Sequence, residues 1–287
     1  MRTEPSAPPR PFFEAAGGSP TSRRLLLISP RFPPAQDVGA LRWQKMARYA
    51  AERGWELDVI TFPPEYVESP EWRTLADLPP GTRVYGIPSP VVPIARLIDS
   101  VWRLLRMLRS KVANHASDDV GASTSPGPQG RPDSLLRSEI RWSLTELRTY
   151  VRAYNVWVTC AVAARWARQA SALARHILAP GVHDAIISSG PPHAAHDAAR
   201  LTSRYSGIPF VIDMRDVLGL TQRFLESVAS PLMFHVIQRQ ERRLVNEAAL
   251  VVVNTDVVRS AMIQEYPEAR DRILTVTNGF DDDSLPR

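Results

Sequence analysis

The chain has 287 residues, 44% of them hydrophobic and 23% charged, which suits a soluble globular protein of one large or two modest domains. A single cysteine, Cys160, excludes an intramolecular disulfide; no Cys/His spacing resembles a zinc site, and a reducing, cytoplasmic setting is expected. Lys and Arg exceed Asp and Glu by 35 to 30, and the resulting +5 and pI near 9.7 favour anionic ligands or membrane surfaces without choosing between them. No apolar run reaches the roughly 18 residues a membrane span needs, and the N-terminus lacks the apolar core of a signal peptide.

Residues 1 to 22, with Pro5, Pro8, Pro9, Pro11 and the Gly17-Gly18 pair, offer neither periodicity nor a core face and read as disordered. Arg24 to Ser29 is a continuous apolar run of strand length, followed by a long loop from Pro30 to Ala40 and a helix from about Leu41 to Gly54. Leu57–Thr61 and Arg83–Ile87 give two further strands separated by a Pro-rich stretch. From 94 to 112 the pattern is that of a basic amphipathic helix, with Arg96, Arg103, Arg106 and Arg109 opposite an apolar arc. Peripheral contact with an anionic membrane through this helix is one use; packing on its own domain is the commoner one. Residues 114 to 133 read as a flexible linker, and 134 to 178 as two helices around Trp142, Trp157 and Trp166, so 94 to 180 reads as a helical insertion.

Alternation then resumes: strand 185–188, helix 194–205, strand 209–213, a long helix ending near Ala248, strand 250–254, helix 256–266 and strand 273–277. The expected fold class is therefore α/β, a Rossmann-like parallel sheet of six or seven strands with helices on both faces, and right-handed crossovers put every strand's carboxyl end on one edge. That edge collects Ser29 to Ala40, Ser188 to His196, Asp213 to Asp216, Asn254-Thr255 and Asn278-Gly279.

Each of these pieces has a plain structural use beside a functional one. Gly39 lets backbone N–H groups of a helix N-terminus approach a phosphate, with Arg42 one turn inside, or Asp37 simply caps an ordinary helix. Asp213-Met214-Arg215-Asp216 reads first as an arginine paired with its neighbouring carboxylates, and only then as a general base at either Asp. In Ser188-Ser189-Gly190-Pro191-Pro192-His193-Ala194-Ala195-His196, Pro192 is placed to open the helix, and the two histidines share its first turn. With no third ligand at suitable spacing they do not read as a metal site; hydrogen bonding to a hydroxylated ligand or helix capping remains.

Taken in order, Pro30-Arg-Phe-Pro-Pro34 leading to Val38-Gly39-Ala40-Leu41-Arg42, the Ser188–His196 loop, Phe210-Val-Ile-Asp-Met-Arg-Asp216, Glu241 to Thr255, and Val276-Thr-Asn-Gly-Phe-Asp281 resemble the N-terminal domain of glycosyltransferase family 4. These are retaining enzymes of the GT-B fold. The resemblance covers roughly residues 23 to 282 without the helical insertion, and implies the N-terminal half of a GT-B fold with the C-terminal donor-binding domain absent from this chain. It also implies sugar transfer from a nucleotide-sugar co-substrate, with no other cofactor and no metal, to a glycan or lipid-linked acceptor. Nucleic acid is not an expected partner. By the resemblance, Gly39 and Arg42 lie on the donor diphosphate side and His193 and His196 contact sugar and acceptor. Arg215 and Asp216 shape the acceptor side, with Arg215 also counted toward donor binding and Asp216 among the catalytic candidates. The chain stops at Arg287, so it is expected to be inactive alone; the alternative is a non-catalytic acceptor-binding subunit completed by a separate donor-binding chain.

Overall fold

The computed structural model describes residues 9–18, 23–89, 154, 157–217 and 231–278. The expected basic helix 94–112, the linker 114–133, Trp142 and the stretch from Gly279 lie outside the described residues.

Strands β2 (Arg23–Ile28), β3 (Trp55–Thr61), β4 (Arg83–Gly86), β5 (His183–Gly190), β6 (Phe210–Met214), β7 (Leu250–Val253) and β8 (Ile273–Thr275) form one parallel sheet. A short β1 (Phe13–Glu14) adds antiparallel to β4, and the order is β1-β4-β3-β2-β5-β6-β7-β8. This corrects two expectations. The sheet has eight strands among the described residues, and the segment read as disordered through residue 22 contributes one of them. Phe12 and Ala15 donate backbone hydrogen bonds to Val84 and Thr82, so the ladder of β4 supplies the order that the local Pro- and Gly-rich composition does not.

Helices α1 (Val38–Glu52), α2 (Trp72–Ala76), α3 (157–177), α4 (Ala194–Ser206), α5 (Pro231–Glu247) and α6 (Asp256–Glu265) cover the sheet. The period-2 alternation of β2 divides its side chains between the two faces. Leu27 packs with Trp43 and Ala47 of α1 and Leu75 of α2, whereas Leu26 and Ile28 pack with Trp166 and Ala170 of α3 and Ala195 and Ala198 of α4. All three β2 residues are fully buried, each worth about 1.5–3 kcal/mol relative to exposure. The helical insertion returns to the core at Trp166, whose indole N–H donates to the carbonyl of Ile87 just past β4. Trp157, at the start of the same helix, is exposed.

Toward the amino end of the strands a buried charge network locks β2, β3, β4 and β5 together. Asp58, with no exposed surface, accepts from Arg24 Nη1 (2.9 Å), Arg83 Nε (2.6 Å) and His183 Nε2 (2.9 Å), and Arg24 also pairs with Glu56. His183 Nδ1 accepts from the Ala179 N–H, so the ring carries its proton on Nε2 and donates it to Asp58 while neutral. Burial raises the Asp58 carboxyl, but the hydrogen bonds from His183 and Arg83 and the charges of both arginines outweigh it and hold the group below the usual range.

Candidate functional site

Moving outward from β2, the chain proceeds to β3 on one side, whereas β5, its other neighbour, proceeds to β6 on the far side. This reversal of strand order opens a crevice above the carboxyl ends of β2 and β5, where doubly wound sheets bind ligands. The loop after β2 and the Pro191–His193 turn after β5 line it.

Asp37 caps α1 by accepting from the Ala40 N–H at 3.0 Å, so the ordinary structural role expected for this residue is present. One turn of the same helix meets Arg215. A Cβ built on Gly39 would stand 2.6–2.9 Å from Nη1, Nη2 and Cζ of the guanidinium, so only glycine admits Arg215 here. Arg215 donates from Nε to the Gly190 carbonyl (3.1 Å) and from Nη2 to that of Pro191 (3.0 Å). No carboxylate pairs with it among the described residues. The expected pairing with its sequence neighbours is thus corrected. Asp213 pairs with Arg42 of α1 instead, and Asp216 is exposed with no ion pair among the described residues.

A guanidinium against a helix N-terminus sums two positive potentials, and the N–H groups of Val38 and Gly39 have no intrahelical acceptor. Two backbone carbonyls satisfy some of the donors but bring no charge. An anion placed there meets a full positive charge, a helix dipole and free N–H groups together.

Arg42 is used differently. Its Nε and Nη2 hold both oxygens of Asp213 (3.4 and 3.1 Å), Nη1 reaches the Thr277 carbonyl and Asn278 Oδ1, and Nη2 reaches the Val276 carbonyl. All five guanidinium donors are engaged, and Ser189 Oγ donates to Asp213 Oδ2 at 2.8 Å. The residue expected on the diphosphate side is therefore the tie between α1, β6 and the segment leaving β8. Sequence spacing does not disclose it, because Arg42 and Asp213 lie 171 positions apart.

The histidines separate as well. His196 is fully buried; its Nδ1 lies 2.9 Å from Ser188 Oγ, whose own proton goes to the Val211 carbonyl at 3.2 Å. The ring must then donate from Nδ1, leaving Nε2 as an unpartnered acceptor pressed against Gly190, where a Cβ would come within 2.7 Å. Burial, with the nearby His193 and Arg215 adding to it, keeps His196 neutral far below the usual histidine pKa. His193 occupies the N-cap of α4, which begins at Ala194 as the expected helix 194–205 does, two residues past the Pro192 that is placed to open it, and makes no side-chain cap. Burial lowers its pKa to about 4; Asp216 opposes and Arg215 reinforces the shift. Its Nδ1 is buried without a partner, and the two rings lie 5.5 Å apart.

Beside the crevice, the loops after β2, β3 and β4 enclose a cavity of about 550 Å³ whose lining includes Arg31, Asp37, Phe62, Tyr66 and Ser89. Phe62 and Tyr66 stack at 6.4 Å with 24° between ring planes. Sequence reasoning missed this platform, because Phe62 and Tyr66 fall in a Pro-rich connection; an aromatic pair just past a strand end was the available signal.

At the same edge Val38 and Leu41 in the first turn of α1 and Val257 in that of α6 are 68%, 51% and 80% exposed. No group of three or more His, Cys, Asp or Glu side chains that could hold a metal occurs among the described residues, and none of the described helices is long and apolar enough to cross a membrane.

No family model and no curated protein matches the chain. Solved structures do. A UGT transferase from Siraitia grosvenorii in complex with UDP matches at 10% identity and a TM-score of 0.44, covering 90% of this chain and 51% of that one. Phytolacca americana UGT2 with UDP-2-fluoro-glucose and pterostilbene matches at 13% identity and 0.42, covering 92% and 57%. MurG of Acinetobacter baumannii matches at 13% identity and 0.31, covering 81% and 41%. The chain thus spans about half the length of these proteins.

Proposed function

We propose that this chain is the acceptor-side, N-terminal domain of a retaining glycosyltransferase of the GT-B type, moving a sugar from a nucleotide-sugar to a glycan or lipid-linked acceptor. The observation that carries the reading is the Arg215 guanidinium laid against Gly39 at the N-terminus of α1 without a carboxylate, at the switch point of the sheet. A diphosphate is the anion whose charge and oxygen geometry suit that combination. His193, neutral at physiological pH, with a free ring nitrogen and the Asp216 charge close by, suits a hydrogen bond to a sugar or acceptor hydroxyl. His196 positions the turn through Ser188 and is not placed in contact with the ligand. The Phe62–Tyr66 platform offers the acceptor an apolar wall.

Val38, Leu41 and Val257 form the rim that a donor-binding domain would cover, whether in the same polypeptide or on a separate chain. On this reading the 287 residues alone bind diphosphate weakly and do not turn over. Calorimetric titration of inorganic pyrophosphate into the chain is expected to give millimolar binding that weakens at least about tenfold in Arg215→Ala. Equal affinity of the two proteins overturns the placement of the diphosphate. Sugar transfer or hydrolysis of a nucleotide-sugar by the isolated chain overturns the claim of inactivity.

A further inference from the structure

Away from the switch point, helices α3, α4 and α5 enclose an open groove of about 530 Å³. Each helix contributes one stripe. On α5 Val236, Arg239, Gln240 and Arg243 follow the i, i+3, i+4, i+7 spacing of a single face, about 10 Å long. Asp197, Arg200 and Leu201 face it from α4, and Ala164, Ala167 and Arg168 from α3. The floor is apolar and made of small or branched residues, with Val236 44% exposed.

The walls carry an uncompensated charge. Arg200 is shared between Asp197 and Glu247, and Asp197 also accepts from Gln240. Among the described residues Arg168, Arg239 and Arg243 pair with no carboxylate within 4.0 Å. The three helices carry eight arginines against three acidic residues, and α3 carries no acidic residue at all. Unpaired guanidinium groups above an apolar floor match a ligand with an apolar stripe flanked by carboxylates.

We propose that this groove docks an acidic amphipathic helix of a partner polypeptide, its apolar stripe on Ala164, Ala167, Leu201 and Val236 and its carboxylates on Arg168, Arg239 and Arg243. The concavity decides against a flat anionic bilayer, which cannot follow a floor recessed between three helices. A nucleic-acid backbone would use the charges and leave the apolar floor without a function. The inference does not depend on the sugar-transfer reading, since it uses none of the residues at the switch point.

The test is fluorescence anisotropy with a labelled helical peptide of about 16 residues carrying leucines at i, i+3, i+4, i+7 and glutamates on both flanks. Micromolar binding that falls with added salt is expected, at least about tenfold tighter than that of a scrambled peptide of identical composition. Arg168→Glu combined with Arg243→Glu, and separately Ala164→Trp, which fills the groove without changing its charge, should each weaken binding at least about tenfold while the thermal melt stays unchanged. Equal binding of the scrambled peptide, indifference to Ala164→Trp, or binding of phosphatidylglycerol vesicles or a single-stranded oligonucleotide with no binding of the peptide would overturn the proposal.

Discussion

Gly39→Ala is the smallest change that reaches the centre of the proposed diphosphate site. The added methyl would stand 2.6 Å from Arg215 Nη1 and 2.9 Å from Cζ, well inside van der Waals contact, so the guanidinium must swing away. Doing so breaks its bonds to the Gly190 and Pro191 carbonyls, each a hydrogen bond from a charged donor worth about 1.5–3 kcal/mol. Water takes up part of that loss, because Arg215 is only partly buried, and alanine regains up to about 1 kcal/mol of helix propensity over glycine. The net effect on folding should therefore stay within about 1–2 kcal/mol, measurable by urea denaturation. Pyrophosphate affinity, by contrast, should fall about as far as in Arg215→Ala, at least tenfold or about 1.4 kcal/mol. Because both substitutions remove the same guanidinium from the same place, the double variant should lose little beyond either single one. Additive losses in that cycle, or full pyrophosphate affinity in Gly39→Ala, would refute the reasoning.

Three further predictions concern the buried network at the amino ends of the strands and two residues at the carboxyl edge. Asp58→Asn should destabilise the fold by about 3–5 kcal/mol in urea denaturation, since it leaves Arg24, Arg83 and His183 facing a neutral amide. Because folding lowers the Asp58 pKa, its contribution is complete above the unfolded value near 4 and disappears as pH falls through the folded one. The melting temperature of the wild type should thus drop on acidification below about pH 4, and that limb should flatten in the variant. His193 should show no imidazole titration by NMR between about pH 5.5 and 8, and Asp216→Asn should push its pKa further down by removing the one charge that raises it. Arg42→Lys should cost about 2–4 kcal/mol and speed amide exchange at Asn278, because an ammonium cannot span Asp213, Val276, Thr277 and Asn278 at once.

The seven parallel strands and the edge on which their loops gather could be read from β-branched runs and helix punctuation, since those patterns are local. β1 could not, because its order comes from the β4 ladder rather than from the Pro- and Gly-rich text around it. At the site, Gly39, Arg215 and His193 were named from their loops, and all three gather at the switch point. Their partners were not, because a guanidinium's choice of acceptor is settled in three dimensions. Arg215, flanked by two aspartates in sequence, turns to the carbonyls of Gly190 and Pro191, while Arg42 comes from another helix to take Asp213. The two histidines share a motif but differ through a single neighbour: Ser188 claims His196, and nothing claims the Nδ1 of His193.

Amide and imidazole chemical-shift mapping during a titration with UDP, carried to about 10 mM, tests the central claim most directly. The account predicts that the largest saturable shifts fall on the backbone N–H groups of Val38 and Gly39, the Arg215 side chain and the His193 ring, with the Asp58 network unmoved. Saturable shifts elsewhere with those four groups unmoved, or no shifts at all, would contradict it.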